Sequence, residues 1–226
     1  MSAIQWTDET WNPVVGCSRV SRGCEHCYAE RVAHRGMAPA HKGLTVMGKH
    51  GPRWTGEVRF LPDVLSKPLR WRQPRRVFVN SMSDLFHEQV SDEQIAAVFG
   101  VMAMTPQHTF QVLTKRPERA VRWFEWAEQW NSVGLVRDMR GARCVGAAVA
   151  SGVPDERIAA FHGPWPLPNV WLGVSVEDQA TADERIPHLL RCPAAVRFVS
   201  ALGPEDLRVR EWPGSRDEAD DATGGE

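Results

Sequence analysis

Apolar and polar positions follow two different periods along this chain. Arg76-Val-Phe-Val-Asn-Ser81, Thr109-Phe-Gln-Val-Leu-Thr114, Asn169-Val-Trp-Leu-Gly-Val-Ser-Val176 and Ala195-Val-Arg-Phe-Val-Ser200 are short apolar runs rich in β-branched residues. They read as strands buried on both faces. Between them the spacing changes to that of a helix. Ser91-Asp-Glu-Gln94 is a capping box, and Ile95, Val98, Phe99 and Met102 follow it. Pro117 suits a first helical turn and opens a helix to about Asn131, with Trp123, Phe124, Trp126 and Trp130 as core or interface positions. Ala180 to Arg191 reads as a helix interrupted at Pro187. Strand then helix, repeated, predicts an α/β fold with a parallel sheet.

The remaining stretches are less regular. Ile4-Gln-Trp6-Thr and Trp11-Asn-Pro-Val-Val-Gly16 suggest an extended lead-in broken at Asn12-Pro13. Tyr28 to His34 carries no breaker and predicts a helix. Residues 36–60, punctuated by seven Gly or Pro, read as a long loop. Asp63 to Trp71 suggests a short helix carrying Val64, Leu65 and Leu69. Arg143 to Ala150 fits either a strand or a buried helix, and Pro164, Pro166 and Pro168 force an extended connection. The expected organisation is one α/β domain over residues 1–212. The acidic, apolar-poor segment 213–226 is expected to be a disordered tail.

Composition narrows the class. The 226 residues, 42% of them apolar, can build a substantial core. No apolar run approaches a membrane span, and no signal-peptide pattern opens the chain. Five cysteines, three of them clustered, argue against a secreted disulfide scaffold and for a reducing cytoplasm. The net charge of −1 predicts no partner by itself. Its distribution is uneven: residues 1–90 carry thirteen Lys or Arg against eight Asp or Glu, and residues 213–226 carry five acids against one Arg.

The clustered cysteines lie in Cys17-Ser-Arg-Val-Ser-Arg-Gly-Cys24-Glu-His-Cys27-Tyr-Ala-Glu30, a C-x6-C-x2-C spacing. This segment is too polar for three thiols packed as core. Thiolates are soft ligands, and a C-x2-C pair can turn back onto one centre. A closed zinc site needs four protein ligands, so His26, His34, His41 or His50 would have to join the three thiols. Three thiolates alone can hold three irons of a four-iron cluster and leave one iron open to a ligand. Spacing leaves both readings standing. A helix beginning at Tyr28 places Cys27 near its N-terminus, where the dipole favours a thiolate.

Ligands of parallel sheets gather at the carboxyl ends of the strands. Here those ends carry Asn80, Ser81 and Asp84; Thr114, Lys115 and Arg116; Ser175, Glu177 and Asp178; and Ser200. Separately, Lys67, Arg70, Arg72, Arg75 and Arg76 surround Trp71. Such a run could contact phosphates and a base, or form a solvated helix end.

Trp11-Asn-Pro-Val-Val-Gly-Cys17 with Gly23-Cys24-Glu-His-Cys27-Tyr-Ala-Glu30 resembles the opening of a phage-associated three-cysteine family of unassigned function. Val77-Phe-Val-Asn-Ser-Met-Ser-Asp84-Leu-Phe-His87, Leu113-Thr-Lys-Arg-Pro117 and Asn169-Val-Trp-Leu-Gly-Val-Ser-Val-Glu177 are similar to its later blocks. That family is itself similar to radical S-adenosylmethionine proteins, photoproduct-lyase-like members included. The resemblance implies a partial (β/α) barrel with a 4Fe-4S cluster held by Cys17, Cys24 and Cys27. It also implies S-adenosylmethionine on the open iron, cleaved to methionine and a 5′-deoxyadenosyl radical, with the hard chemistry belonging to the cofactor. His26 occupies the place where the superfamily usually has an aromatic residue near the adenine. Tyr28, Asp84, Lys115, Arg116, Ser175 and Glu177 complete the expected cofactor-binding set. Lys115 or Arg116 would hold a carboxylate or phosphate, and Asp84 or Glu177 an amino group or ribose.

The sequence departs from that pattern twice. The superfamily spacing is C-x3-C-x2-C, whereas the first gap here is six. Relatives continue past the last strand into a Gly-Gly-Glu-Ser-Gly-like strand, while this chain reaches Leu202-Gly-Pro. The expectation is a sheet lacking its last strand, with an edge that a partner protein could cover. Two alternatives stand beside the radical enzyme: a DNA-repair or nucleic-acid-modifying enzyme, and a non-catalytic zinc or iron–sulfur binding module.

Overall fold

Each of the four apolar runs forms a strand, and a fifth joins them from the N-terminal lead-in; the last run is not buried on both faces as expected, since Val196 and Val199 are exposed. The computed structural model describes residues 7–129, 139–154 and 163–201. In chain order the elements are β1 (Glu9–Trp11), β2 (Val14–Val15), α1 (Tyr28–His34), β3 (Thr45–Gly48), β4 (Gly51–Trp54), β5 (Arg59–Phe60), α2 (Pro62–Leu65), β6 (Arg76–Val79), α3 (Asp92–Met104), β7 (Thr109–Thr114), α4 (Pro117–Glu128), α5 (Arg140–Ala150), β8 (Val170–Val176), α6 (Gln179–Arg191) and β9 (Val196–Ala201).

The main sheet has the order β1-β6-β7-β8-β9, and every neighbouring pair is parallel. Spatial order therefore follows chain order without a reversal. One face of the sheet, with Val77, Val79, Phe110, Val112, Leu172 and Val174, is buried in a single core with α3, α4 and α5. Full burial of each large apolar side chain contributes about 1.5–3 kcal/mol. Phe99 of α3 stacks on Trp123 of α4 with centroids 4.4 Å apart. Gly100 lets α5 approach α3 closely: a Cβ there would stand 2.1 Å from the Cys144 carbonyl oxygen.

The opposite face carries Phe78, Gln111 and Trp171 in register, then Leu113 beside Gly173. Gly173 is required by packing, since a Cβ would lie 2.5 Å from the Phe198 ring. A second, smaller core joins Val15, Ala29, Ala33, Leu44, Trp54 and Met82, and seats α1 against β3 and β4.

Several expectations need correction. The loop foreseen over residues 36–60 contains a hairpin, β3 with β4, and strand β5 paired antiparallel to β2. Its glycines made the segment read as loop, yet Leu44 and Trp54 bury into the second core and pin the hairpin. Pro52 is tolerated because this sheet has two strands only. The helix foreseen over 63–71 is α2 followed by a 3-10 turn, Lys67–Arg70, because Pro68 has no amide to continue an α-helix. Residues 143–150 belong to helix α5, settling that alternative. Pro187 lies inside α6 without ending it. Strand β6 stops at Val79, where Asn80 takes φ 59°. Asn131, Leu202 and the 213–226 tail lie outside the described residues. Among the described residues no helix is long and apolar enough to cross a membrane.

Candidate functional site

The cysteine loop is attached to the sheet just beyond the carboxyl ends of β1 and β6. Asn12 Oδ1 accepts from the Ser81 hydroxyl and the Met82 amide, each at 3.1 Å. The Val14 amide donates to Asn80 Oδ1 at 3.2 Å, and the Ser83 hydroxyl to the Val14 carbonyl at 2.9 Å. Gly16 takes φ +90°, and a Cβ there would stand 2.1 Å from the Glu57 carbonyl oxygen. Only glycine suits that turn. Cys17 follows it directly, so its position is set by backbone contacts to the loop after β6.

Asp84 organises the next layer. Its Oδ1 accepts from the Thr114 hydroxyl at 2.8 Å and the Phe86 amide at 3.0 Å. Its Oδ2 accepts from the Lys115 amide at 2.9 Å and Arg116 Nη1 at 3.3 Å. Protein donors thus occupy the carboxylate on both oxygens. Arg116 turns back over the cysteine loop, with Nη2 donating to the Ser18 carbonyl and hydroxyl at 2.9 Å each. Its Nη1 lies 3.7 Å from Cys17 Sγ. Burial opposes the Arg116 charge, but Asp84 and Cys17 outweigh it and hold the guanidinium above its ordinary pKa. Burial pushes the Cys17 thiol up to about 12, against the pull of Arg116. A metal at Cys17 would therefore have to displace a proton.

A second ionic group stands at the end of β8. Arg185 of α6 donates from Nη1 to the Ser175 carbonyl at 2.6 Å and to Glu177 Oε2 at 2.9 Å. Lys115 Nζ is 3.6 Å from the same oxygen, too far for a hydrogen bond. The Gly23 amide donates to Glu177 Oε1 at 3.3 Å, tying the cysteine loop to β8. Burial raises the Glu177 pKa, but the Ser21 hydroxyl, Lys115 and Arg185 together bring it below the ordinary carboxylate range. Asn80 Nδ2, Gln111 Oε1, Lys115 Nζ and Ser175 Oγ are all buried without a hydrogen-bond partner among the described residues. Such groups are costly unless something else satisfies them.

The loop itself is held from its far side. Glu30, fully buried, accepts from Arg19 Nε at 2.9 Å, Arg19 Nη2 at 2.6 Å and the Trp54 amide at 2.9 Å. Cys24 closes a 3-10 turn, and Cys27 occupies the N-cap of α1. All three cysteines are half-buried and free of disulfides, while Cys144 and Cys192 are buried. The Tyr28 hydroxyl donates to the Ser81 carbonyl at 2.9 Å, and His26 is exposed.

Cys17, Asp84 and Arg116 thus form one contact network, and Lys115, Ser175 and Glu177 a neighbouring one. His26 joins neither. Sequence reading overlooked Ser18, Glu30, His87 and Arg185. His87 stands in the Asp84-Leu-Phe-His87 block, and its Nε2 is 2.8 Å from the Ser18 hydroxyl. Its Nδ1 accepts from the Gln89 amide at 3.1 Å, so Nε2 carries the proton. Glu30 lay in plain view three residues after Cys27, but a buried carboxylate there signals nothing until Arg19 is known to meet it.

The basic run after α2 is largely engaged by the fold. Arg75 pairs with Glu9 and Arg76 with Asp8. The Trp71 ring has Lys67 and Arg75 each 5.5 Å from its centroid and His108 packed edge-on.

Fold and site together define a parallel α/β protein with a free three-cysteine loop over the carboxyl ends of its sheet. The chain belongs to the DUF5131 family, described as a protein of unknown function, which matches residues 1–207. No curated protein and no solved structure matches it.

Whether this loop suits a cluster can be judged on its donors. Three soft thiols lie on one loop, a guanidinium stands beside the first to balance thiolate charge, and unpartnered buried polar atoms lie beneath. These fit an iron–sulfur group in the kind of donor they offer. Among the described residues, however, no three His, Cys, Asp or Glu side chains gather as a metal site.

Proposed function

We propose that this protein is an iron–sulfur enzyme of radical S-adenosylmethionine type, with Cys17, Cys24 and Cys27 holding a 4Fe-4S cluster above a partial (β/α) barrel. One observation carries the reading: the free three-cysteine loop sits over the carboxyl ends of a parallel sheet whose strands follow chain order. When bound, the cluster supplies one electron to cleave the sulfonium of S-adenosylmethionine, giving methionine and a 5′-deoxyadenosyl radical. The chain's own residues bind and orient. Lys115 Nζ, buried and without a hydrogen bond, meets a carboxylate. The Ser175 hydroxyl, equally unsatisfied, completes that contact. Glu177, kept ionised by Lys115 and Arg185, accepts from an amino group or ribose hydroxyl. Asp84 does not touch the cofactor in this reading; it aims Arg116, which balances charge at Cys17.

The test is anaerobic reconstitution with iron and sulfide, reduction, and measurement of 5′-deoxyadenosine on adding S-adenosylmethionine. Brown protein absorbing at about 400 nm, with thiolate–iron charge transfer lost in Cys24→Ala, is expected. Colourless protein carrying one zinc overturns the cluster, and full absorbance in Cys24→Ala overturns the assignment of Cys24 as a ligand. A cluster that yields no 5′-deoxyadenosine overturns the reaction and leaves a non-catalytic module.

A further inference from the structure

The segment from the cysteine loop through β5 has a charge character of its own. Residues 18–60 carry eight Lys or Arg against three Asp or Glu, a net +5 in a chain of net −1. Two of the three acids are engaged, Glu30 buried against Arg19 and Glu57 paired with Arg59. Arg31, Arg35, Lys42, Lys49 and Arg53 are exposed and meet no carboxylate among the described residues. Elsewhere in the described chain the cations divide: Arg75, Arg76, Arg119 and Arg191 each pair with an acid, while Arg70 and Arg72 are exposed without one. A surface selected only for solubility would mix the signs. The exposed charge here is predominantly positive.

Apolar side chains are interleaved with these cations. Tyr28, Arg31, Val32 and Arg35 recur at three- and four-residue intervals, so they lie along one exposed stripe of α1 and its C-terminal end. Met37 (86% exposed) follows the helix, and Val46 and Met47 are exposed on β3. An open cleft of about 480 Å³ lies between the hairpin and the cysteine loop, lined by Ser18, Arg19, Val46, Arg53 and Thr55 among others. Its floor is Trp54, and its inner wall begins one residue after Cys17.

We propose that this insertion binds single-stranded nucleic acid, with phosphates against the unpaired cations, bases against Tyr28 and the exposed aliphatic groups, and one nucleotide entering the cleft. Charge complementarity supplies affinity, and apolar contact with unpaired base faces tolerates any sequence. A duplex hides those faces, and a membrane surface has nothing to fill a concave cleft beside the cysteine loop. The proposal does not depend on the cluster reading.

Full-length protein is titrated with labelled 20-nucleotide DNA and RNA of mixed sequence, and with anionic phosphatidylserine vesicles, from 50 to 200 mM salt. Five phosphate contacts predict a log–log salt slope of about −3.5, an affinity loss on the order of 100-fold across that range. The Arg31→Gln/Arg35→Gln/Arg53→Gln variant should lower the slope by about 2 while keeping the wild-type melting temperature. Binding that persists in Cys24→Ala separates this surface from any cluster. No strand binding at 50 mM salt, an unchanged slope in the triple variant, or capture by vesicles but not oligonucleotides overturns it.

Discussion

Replacing Asp84 by Asn is the sharpest probe of how the site is built. The change conserves shape and removes one charge. Asp84 accepts four hydrogen bonds, two on each oxygen, and its side chain is 8% exposed, as is that of Arg116. If the amide keeps its oxygen toward Thr114 and Phe86, its NH2 group faces the Lys115 amide and Arg116. Donor then opposes donor, and a buried guanidinium loses its counter-charge. Breaking one partner of a buried pair costs about 3–5 kcal/mol. At about 2–4 °C per kcal/mol for a domain of this size, the melting temperature should drop by roughly 6–20 °C. Thermal unfolding followed by circular dichroism, with a urea titration alongside, measures it. Arg116→Met and the double variant complete the cycle. A coupling energy of about 0.5–3 kcal/mol is expected, the double variant losing less than the sum. A melting point for Asp84→Asn within 2 °C of wild type, or additive losses in the cycle, would refute the claim that Asp84 exists to aim Arg116.

Other expectations follow from the same contacts. Gly100→Ala places a Cβ against fixed backbone of α5; overpacking should cost about 1–3 kcal/mol, partly offset by about 1 kcal/mol of helix propensity, and a more stable variant would contradict the packing. Burial lowers the pKa of both His87 and His108, so the unfolded chain binds more protons below about pH 6.5 and stability should fall as pH drops through that point. Glu177, held below its ordinary range, adds a further loss as pH falls below about 4.5, the usual carboxylate value; a melting temperature flat from pH 7.5 to 4 would count against both. Glu30→Gln keeps the Trp54 contact but uncouples Arg19, and should raise proteolytic cleavage within residues 18–27 more than elsewhere, as read by mass spectrometry of limited digests.

Much of the sheet was legible because strand and helix here are long, apolar and cleanly periodic. Val77 to Val79 and Val170 to Val176 are buried on both faces, which no loop imitates. The capping box at Ser91 is present as read, with Gln94 answering it. The hairpin was not legible, because what makes it a hairpin is Leu44 and Trp54 finding Ala29 and Ala33, contacts that no local pattern encodes. The site divides in the same way. Lys115, Arg116 and Glu177 could be found because charges follow buried strands directly. Arg185 could not: it sits mid-helix, in α6, and becomes a site residue only because that helix packs beside β8. Likewise Asp84 was found, but its role as acceptor for four protein donors depends on how the fold brings the Thr114 hydroxyl, the Phe86 and Lys115 amides and Arg116 to it.

The order of the strands bears on how the molecule assembles. Pairing β1 with β6 must close the 64 residues between Trp11 and Arg76, while each doubling of a loop costs only about 0.6 kcal/mol. After that one long closure, each later strand adds to a ladder already present: β7 to β6, β8 to β7, β9 to β8. No strand need wait for a later one to complete its neighbour. As the chain leaves the ribosome it can grow its sheet one ladder at a time, with the cysteine-bearing segment synthesised before any strand beyond β1 and β2 exists to receive it.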